Sequence, residues 1–121
     1  MSMRTFLCTL AFVLLCAAAP LASAHAFPTR STPAVGATIT QAPASVKIWF
    51  DGELEPVFST LRVTNAAGQP VGTGKGEVNG KNHYLLETAL TPHLAPGTYT
   101  VTWNVISHDG HHTEGHFAFT L

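Results

Sequence analysis

The residues best able to do chemistry crowd into one stretch near the C-terminus. "SHDGHHTEGH", residues 107–116, holds His108, His111, His112 and His116, with Asp109 and Glu114 between them. Imidazole and carboxylate at that density can ligate a metal ion, and no thiol or thioether lies nearby to compete. Asp109 and His111 are two apart. In extended or turn backbone such a pair can face the same way and offer one oxygen and one nitrogen to a single ion. His112 and His116 have a helix spacing, but Gly110, Gly115 and strand-like flanks argue against a helix. The stretch reads as a loop joining the last two strands, a usual place for function. The competing reading is a histidine-rich loop that takes up metal without a defined site. His83 and His93 stand apart and read as ordinary surface residues.

The other end of the chain changes the ligand inventory. It opens "MSMRTFLCTLAFVLLCAAAPLASA", in which Arg4 precedes an apolar run and Ala22-Ser23-Ala24 forms a small-residue cleavage site. This layout predicts a secretory signal peptide over residues 1–24. The apolar run is short for a membrane span of roughly 20 residues. Cys16 sits inside that run, which argues against a lipid-anchored terminus. Cleavage after Ala24 removes Cys8, Cys16, Met1 and Met3, which are the chain's 2 cysteines and 2 methionines. What remains, 25–121, is one small domain that keeps all 7 histidines. Loss of Arg4 from the 6 basic residues leaves five against 7 acidic ones. That balance gives no electrostatic reason to expect nucleic acid or an anionic membrane surface as partner.

Cleavage also makes His25 the first residue. A terminal histidine offers two nitrogens, its α-amine and Nδ1, which close a six-membered chelate ring on one ion. The α-amine has a reference pKa of about 7.7–8.0, so a strong Lewis acid displaces its proton near neutral pH. With the His111 imidazole and the Asp109 carboxylate, three nitrogens and one oxygen are assembled. Tetragonal N/O coordination without sulfur points to Cu(II), with Ni(II) next. Zn(II) would accept these donors, but no zinc-protease or finger spacing is present. An amino-terminal copper motif with histidine third is also absent, because Phe27 holds that position.

These ligands need a scaffold, and the scaffold reads as strands. "SVKIWFD" (45–51) alternates Val46, Ile48 and Phe50 with polar positions, apart from Trp49. "FSTLRVTN" (58–65) and "KNHYLLETAL" (81–90) are further candidates. "GTYTVTWNVI" (97–106) is the clearest: Tyr99, Val101, Trp103 and Val105 share one face. "EGHFAFTL" puts Phe117, Phe119 and Leu121 together. Short strands, turn residues between them and no helix pattern predict an all-β sandwich or barrel. "LAPGTYTVTW" resembles the tyrosine corner of Greek-key sandwiches, although Tyr99 could equally be a plain core aromatic. "GTGKGEVNGK" (72–81) lacks the ending of a phosphate loop and reads as a flexible turn region.

Taken together, His25 after the signal, "RSTPAVGATITQAPASVKIWF" (30–50), "FDGELEP" and "LAPGTYTVTWNVISHDGHHTEGHFAFTL" (94–121) resemble the CopC (YobA-like) family of periplasmic copper-binding proteins. The likeness spans nearly all of 25–121. Its specific part is the S-x-D-x-H element combined with the N-terminal histidine. The resemblance implies a seven-stranded Greek-key β-barrel or sandwich, immunoglobulin-like in layout. It implies a Cu(II) site at His25, Asp109 and His111, and a periplasmic carrier or buffer for copper resistance and homeostasis. It further implies a monomer that can serve an inner-membrane CopD-type transporter, and no enzymatic activity. Some members hold Cu(I) in a Met-rich loop; here "AAGQPVGTGKGEVNG" occupies that region without a methionine. Glu53 lies near where some members place an acidic residue by the copper. His108, His112 and His116 depart from the family pattern and could form an outer shell, a second weak site, or nothing. Two other classes remain open: a copper-dependent oxidative enzyme of the histidine-brace type, and a metal-free immunoglobulin-like structural domain.

Overall fold

The computed structural model describes residues 25–121; the expected signal peptide, 1–24, lies outside the described residues. Seven strands follow one another: β1 (Pro28–Thr32), β2 (Ser45–Phe50), β3 (Thr60–Thr64), β4 (Glu77–Asn79), β5 (Asn82–Ala89), β6 (Thr98–Ile106) and β7 (His112–Thr120). They form two antiparallel sheets, one ordered β1-β2-β5-β4 and the other β3-β6-β7. The chain changes sheet between β2 and β3, back between β3 and β4, and again between β5 and β6. This four-plus-three arrangement is the layout of the constant-type immunoglobulin sandwich. The all-β Greek-key expectation holds, as a sandwich of two sheets.

Alternation builds the core. β6 buries Tyr99, Val101, Trp103 and Val105, and β2 buries Val46, Ile48 and Phe50. Leu61, Val63, Leu86 and Phe119 meet them from the other strands. Each such side chain contributes about 1.5–3 kcal/mol by leaving water. Phe50 meets Trp103 edge to face at 5.4 Å. Gly115, directly across from Trp103, makes room for the indole: a Cβ there would lie 2.6 Å from a ring carbon. Trp49, the exception to the β2 pattern, points outward, and the Arg30 guanidinium lies 3.8 Å over its ring. A cation over an indole face shields an otherwise wet apolar surface.

Tyr99 does form a tyrosine corner, its hydroxyl donating to the Ala95 carbonyl. Two elements differ from the sequence reading. The 72–81 stretch is not all turn, because Glu77–Asn79 pairs with β5 as the short edge strand β4. β1 carries "PTRST", with no apolar alternation, because an edge strand exposed along most of its length has little to bury.

Candidate metal centre

One end of the sandwich gathers the N-terminal segment 25–27, the 51–59 loop, the start of β5 and the β6–β7 loop. The last of these is a three-residue hairpin loop, His108-Asp109-Gly110. It is closed by the Ser107 N–H donating to the His111 carbonyl at 2.9 Å and the Gly110 N–H donating to the Ser107 carbonyl at 2.8 Å. Such loops end in a left-handed residue, and Gly110 has φ of 90°. Nothing lies within 4 Å of a Cβ built there, so glycine is required by the backbone rather than by space.

Ser107 organises this loop from within. Its buried hydroxyl accepts the His111 N–H at 3.2 Å and donates to the Asp109 carboxylate. The His111 carbonyl is also within reach at 3.1 Å, but one hydroxyl proton serves one acceptor best, and the charged one lies closer. That bond is the main reason the Asp109 pKa falls below its ordinary value. Desolvation opposes it, and the neighbouring His111 lowers it further. His111 Nδ1 stands 3.3 Å from Asp109 Oδ1, both side chains about half exposed.

His25 reaches the same place through its neighbour. Ala26 is fully buried, and its carbonyl accepts the Thr113 hydroxyl at 2.7 Å. Thr113 faces inward on β7, two residues past His111, so this bond clips the chain before β1 to the opposite sheet. Gly52 lets Ala26 in: a Cβ at 52 would stand 3.3 Å from the Ala26 methyl. The Phe27 N–H donates to Asp51 Oδ1 at 2.7 Å, while the Asp51 N–H donates to the Phe27 carbonyl at 2.9 Å. The His25 ring is left exposed, stacked on Phe27 at 5.9 Å and 4.8 Å from the His111 ring.

The structure thus brings His25, Asp109 and His111 to one end, with His111 close to each of the other two. Among the described residues no three His, Cys, Asp or Glu side chains are arranged to hold a metal ion. The fourth donor of the sequence reading is a main-chain amine that exists only when His25 is terminal. Glu53 joins the site by its backbone, its carbonyl accepting the His108 N–H at 2.8 Å. The carboxylate that meets His108 is Glu55, with Oε1 3.1 Å from Nδ1. His112 and His116 lie on the outward face of β7, and His93 sits at the far end with φ of 62°. Ser107, Thr113, Asp51 and Glu55 were missed by sequence reasoning. Only Ser107 carried a signal, as the first letter of S-x-D-x-H.

Fold and site together define a two-sheet β-sandwich that presents imidazole and carboxylate on the loops of one end, with no sulfur among the described residues. A model of the CopC domain matches residues 28–121, and the chain belongs to that family. Protein YobA of Escherichia coli strain K12 is 36% identical over 102 residues, covering 84% of this chain and 82% of that protein. The solved structure of CopC from Methylosinus trichosporium OB3b superimposes with a TM-score of 0.72 at 30% identity, covering 79% of this chain and 92% of that one. PcoC, a methionine-rich copper resistance protein from Escherichia coli, gives 0.70 at 26% identity, covering 80% and 98%.

Proposed function

We propose that the chain is a periplasmic copper-binding protein of copper resistance, holding Cu(II) as cargo once residues 1–24 are removed. The observation that supports this reading is the His25 ring 4.8 Å from the His111 ring, although the two residues come from opposite ends of the domain. In this reading the His25 amine and Nδ1, the His111 imidazole and the Asp109 carboxylate supply the donors. The family and the names of its copper-handling members favour copper over other borderline ions, as does the affinity order of divalent metals. The lowered pKa of Asp109 keeps that oxygen ionised and available. A CopD-type inner-membrane transporter is the proposed exchange partner. Residues 25–121 hold no methionine or cysteine, so the reading includes no Cu(I) site of the thioether kind.

The test adds one glycine before His25 in the exported chain. The His25 nitrogen then becomes an amide, a far weaker acid, and the chelate ring is lost. Cu(II) affinity, measured by competition titration, is expected to fall by several kcal/mol, where 1.4 kcal/mol is about tenfold. Thermal unfolding without metal is expected to stay the same, because the addition lies at an exposed terminus. Equal copper affinity in both chains would remove the amine from the ligand set and overturn the reading.

A further inference from the structure

β7 carries a second cluster of donors that the end-on centre does not use. Its alternation sends Thr113 and Phe119 inward and leaves His112, Glu114 and His116 exposed on the outward face. Across the ladder, Asn104 of β6 stands opposite Glu114 on that same face, while Thr102 stands opposite His116. Three polar atoms converge there. His112 Nε2 lies 2.6 Å from Asn104 Oδ1 and 3.9 Å from Glu114 Oε2. The Asn104 amide nitrogen donates to the same Glu114 oxygen at 3.4 Å.

We infer that His112, Asn104 and Glu114 form a second, weaker site for a borderline divalent cation. Bonds from such an ion to nitrogen or oxygen are about 2.0–2.2 Å, so two donors on one ion stand about 2.8 Å apart at right angles and about 4 Å apart when opposed. The spacings of 2.6 and 3.9 Å lie within about 0.2 Å of those two values, so small side-chain rotations would close the set. In the metal-free chain a proton on Nε2 bridges the imidazole to the Asn104 carbonyl oxygen. When an ion binds Nε2, that nitrogen gives up its proton to solvent or, through solvent, to Nδ1. One imidazole nitrogen, one carboxylate oxygen and one amide oxygen, completed by water, rank Cu(II) above Ni(II) and Zn(II). With both side chains about half exposed or more, desolvation is slight and the site stays open to exchange.

This site uses neither the α-amine nor His111, so it stands whether or not the His25 centre does. It is also that centre's immediate neighbour, because His111 ends the loop and His112 begins β7.

The experiment uses Cu(II) as probe and the exported chain carrying His25→Ala and His111→Ala, which together remove both imidazoles of the end-on centre proposed above. Calorimetric titration is expected to retain one weak equivalent. Adding His112→Ala or Glu114→Gln is expected to weaken that equivalent by at least tenfold. Asn104→Asp, which adds a second carboxylate oxygen, is expected to strengthen it by about tenfold. His116→Ala is expected to leave it unchanged, since His116 lies one row further along the strand. Far-ultraviolet circular dichroism of each metal-free variant separates loss of binding from loss of fold. No Cu(II) bound in the chain carrying His25→Ala and His111→Ala would overturn the inference. So would a weak equivalent indifferent to His112→Ala and Glu114→Gln, or one lost as fully with His116→Ala.

Discussion

The two ends of the sandwich are closed by different means. At the far end the chain is joined backbone to backbone. Gly97 and Leu121 exchange both main-chain hydrogen bonds, at 3.0 and 2.9 Å. The 36–39 segment lies along the end of β7, with Gly36 bonded to Ala118 and Ile39 to Thr120, both at 2.8 Å. At the histidine end, short polar side chains add the decisive links. Thr113 holds Ala26, Asp51 holds Phe27, Ser107 holds Asp109 and His111, and Ser59 accepts the Ile106 N–H at 3.3 Å. Backbone pairing is indifferent to most side-chain changes. A side-chain clip fails with one substitution, but it can set the position of a neighbour that no regular ladder would fix. The far end is therefore closed mainly by backbone pairing, and the histidine end adds side-chain links that set the positions of its residues.

That contrast can be broken or sharpened by four measurements. The largest expected effect is His111→Ala, which should cost about a hundredfold or more in Cu(II) affinity, ~2.8 kcal/mol. Its metal-free unfolding midpoint should stay close to the parent's, because the side chain is half exposed. Thr113→Val should follow, acting on both properties. It leaves the buried Ala26 carbonyl without its donor, at about 1–3 kcal/mol. For a domain of this size the midpoint should fall by about 4–8 °C per kcal/mol. Copper affinity should drop as well, since His25 loses its tether; a fall in stability alone would mean that the clip does not place His25.

Tyr99→Phe is the matching test at the far end. It removes the hydroxyl bonded to Ala95 from a buried ring. Loss of about 0.5–1.5 kcal/mol in denaturant unfolding is expected, with copper affinity unchanged. A change in affinity would break the division between the ends. The smallest effect is expected from Ser107→Ala, read as the Asp109 titration by NMR. Asp109 now titrates below its ordinary value of 3.8, chiefly because of the Ser107 hydroxyl, so its midpoint should rise. A depressed folded-state pKa adds stability above the unfolded value and loses it as pH falls through the folded one. The pH dependence of unfolding below about 4 should therefore flatten slightly in the variant. An unchanged midpoint would assign the shift to His111.

How much could be read in advance follows the same contrast. β6 was legible because Tyr99, Val101, Trp103 and Val105 must all face one core, and period two states this openly. β2, β3 and β5 were found with bounds shifted by only a residue or two. β1 and β4 were not found, since edge strands bury little and three residues of "EVN" carry no period. The density of histidine and the S-x-D-x-H element marked Asp109 and His111 as candidates, and the expected cleavage after Ala24 marked His25. The clips that place them were invisible. Thr113 and Ala26 look like any small residues until two sheets bring a hydroxyl and a carbonyl together across a seam. The contact of Glu55 with His108 was hidden for the same reason, because the pairing of Leu54 with Ser107 decides which neighbouring side chain meets His108.

If His25 becomes the first residue, as proposed, the buried Ala26 has a consequence for where the chain is cut. Its methyl sits sealed against Gly52 and its carbonyl is fastened to Thr113, so the wall grips the residue next to His25 and leaves no slack. A protease cutting one bond early would give a sound fold whose first nitrogen is out of register. One cutting a bond late would give the same fold with its first histidine gone. Both products would pass any test of folding and fail only a test of copper, so quality control that senses stability would overlook the error.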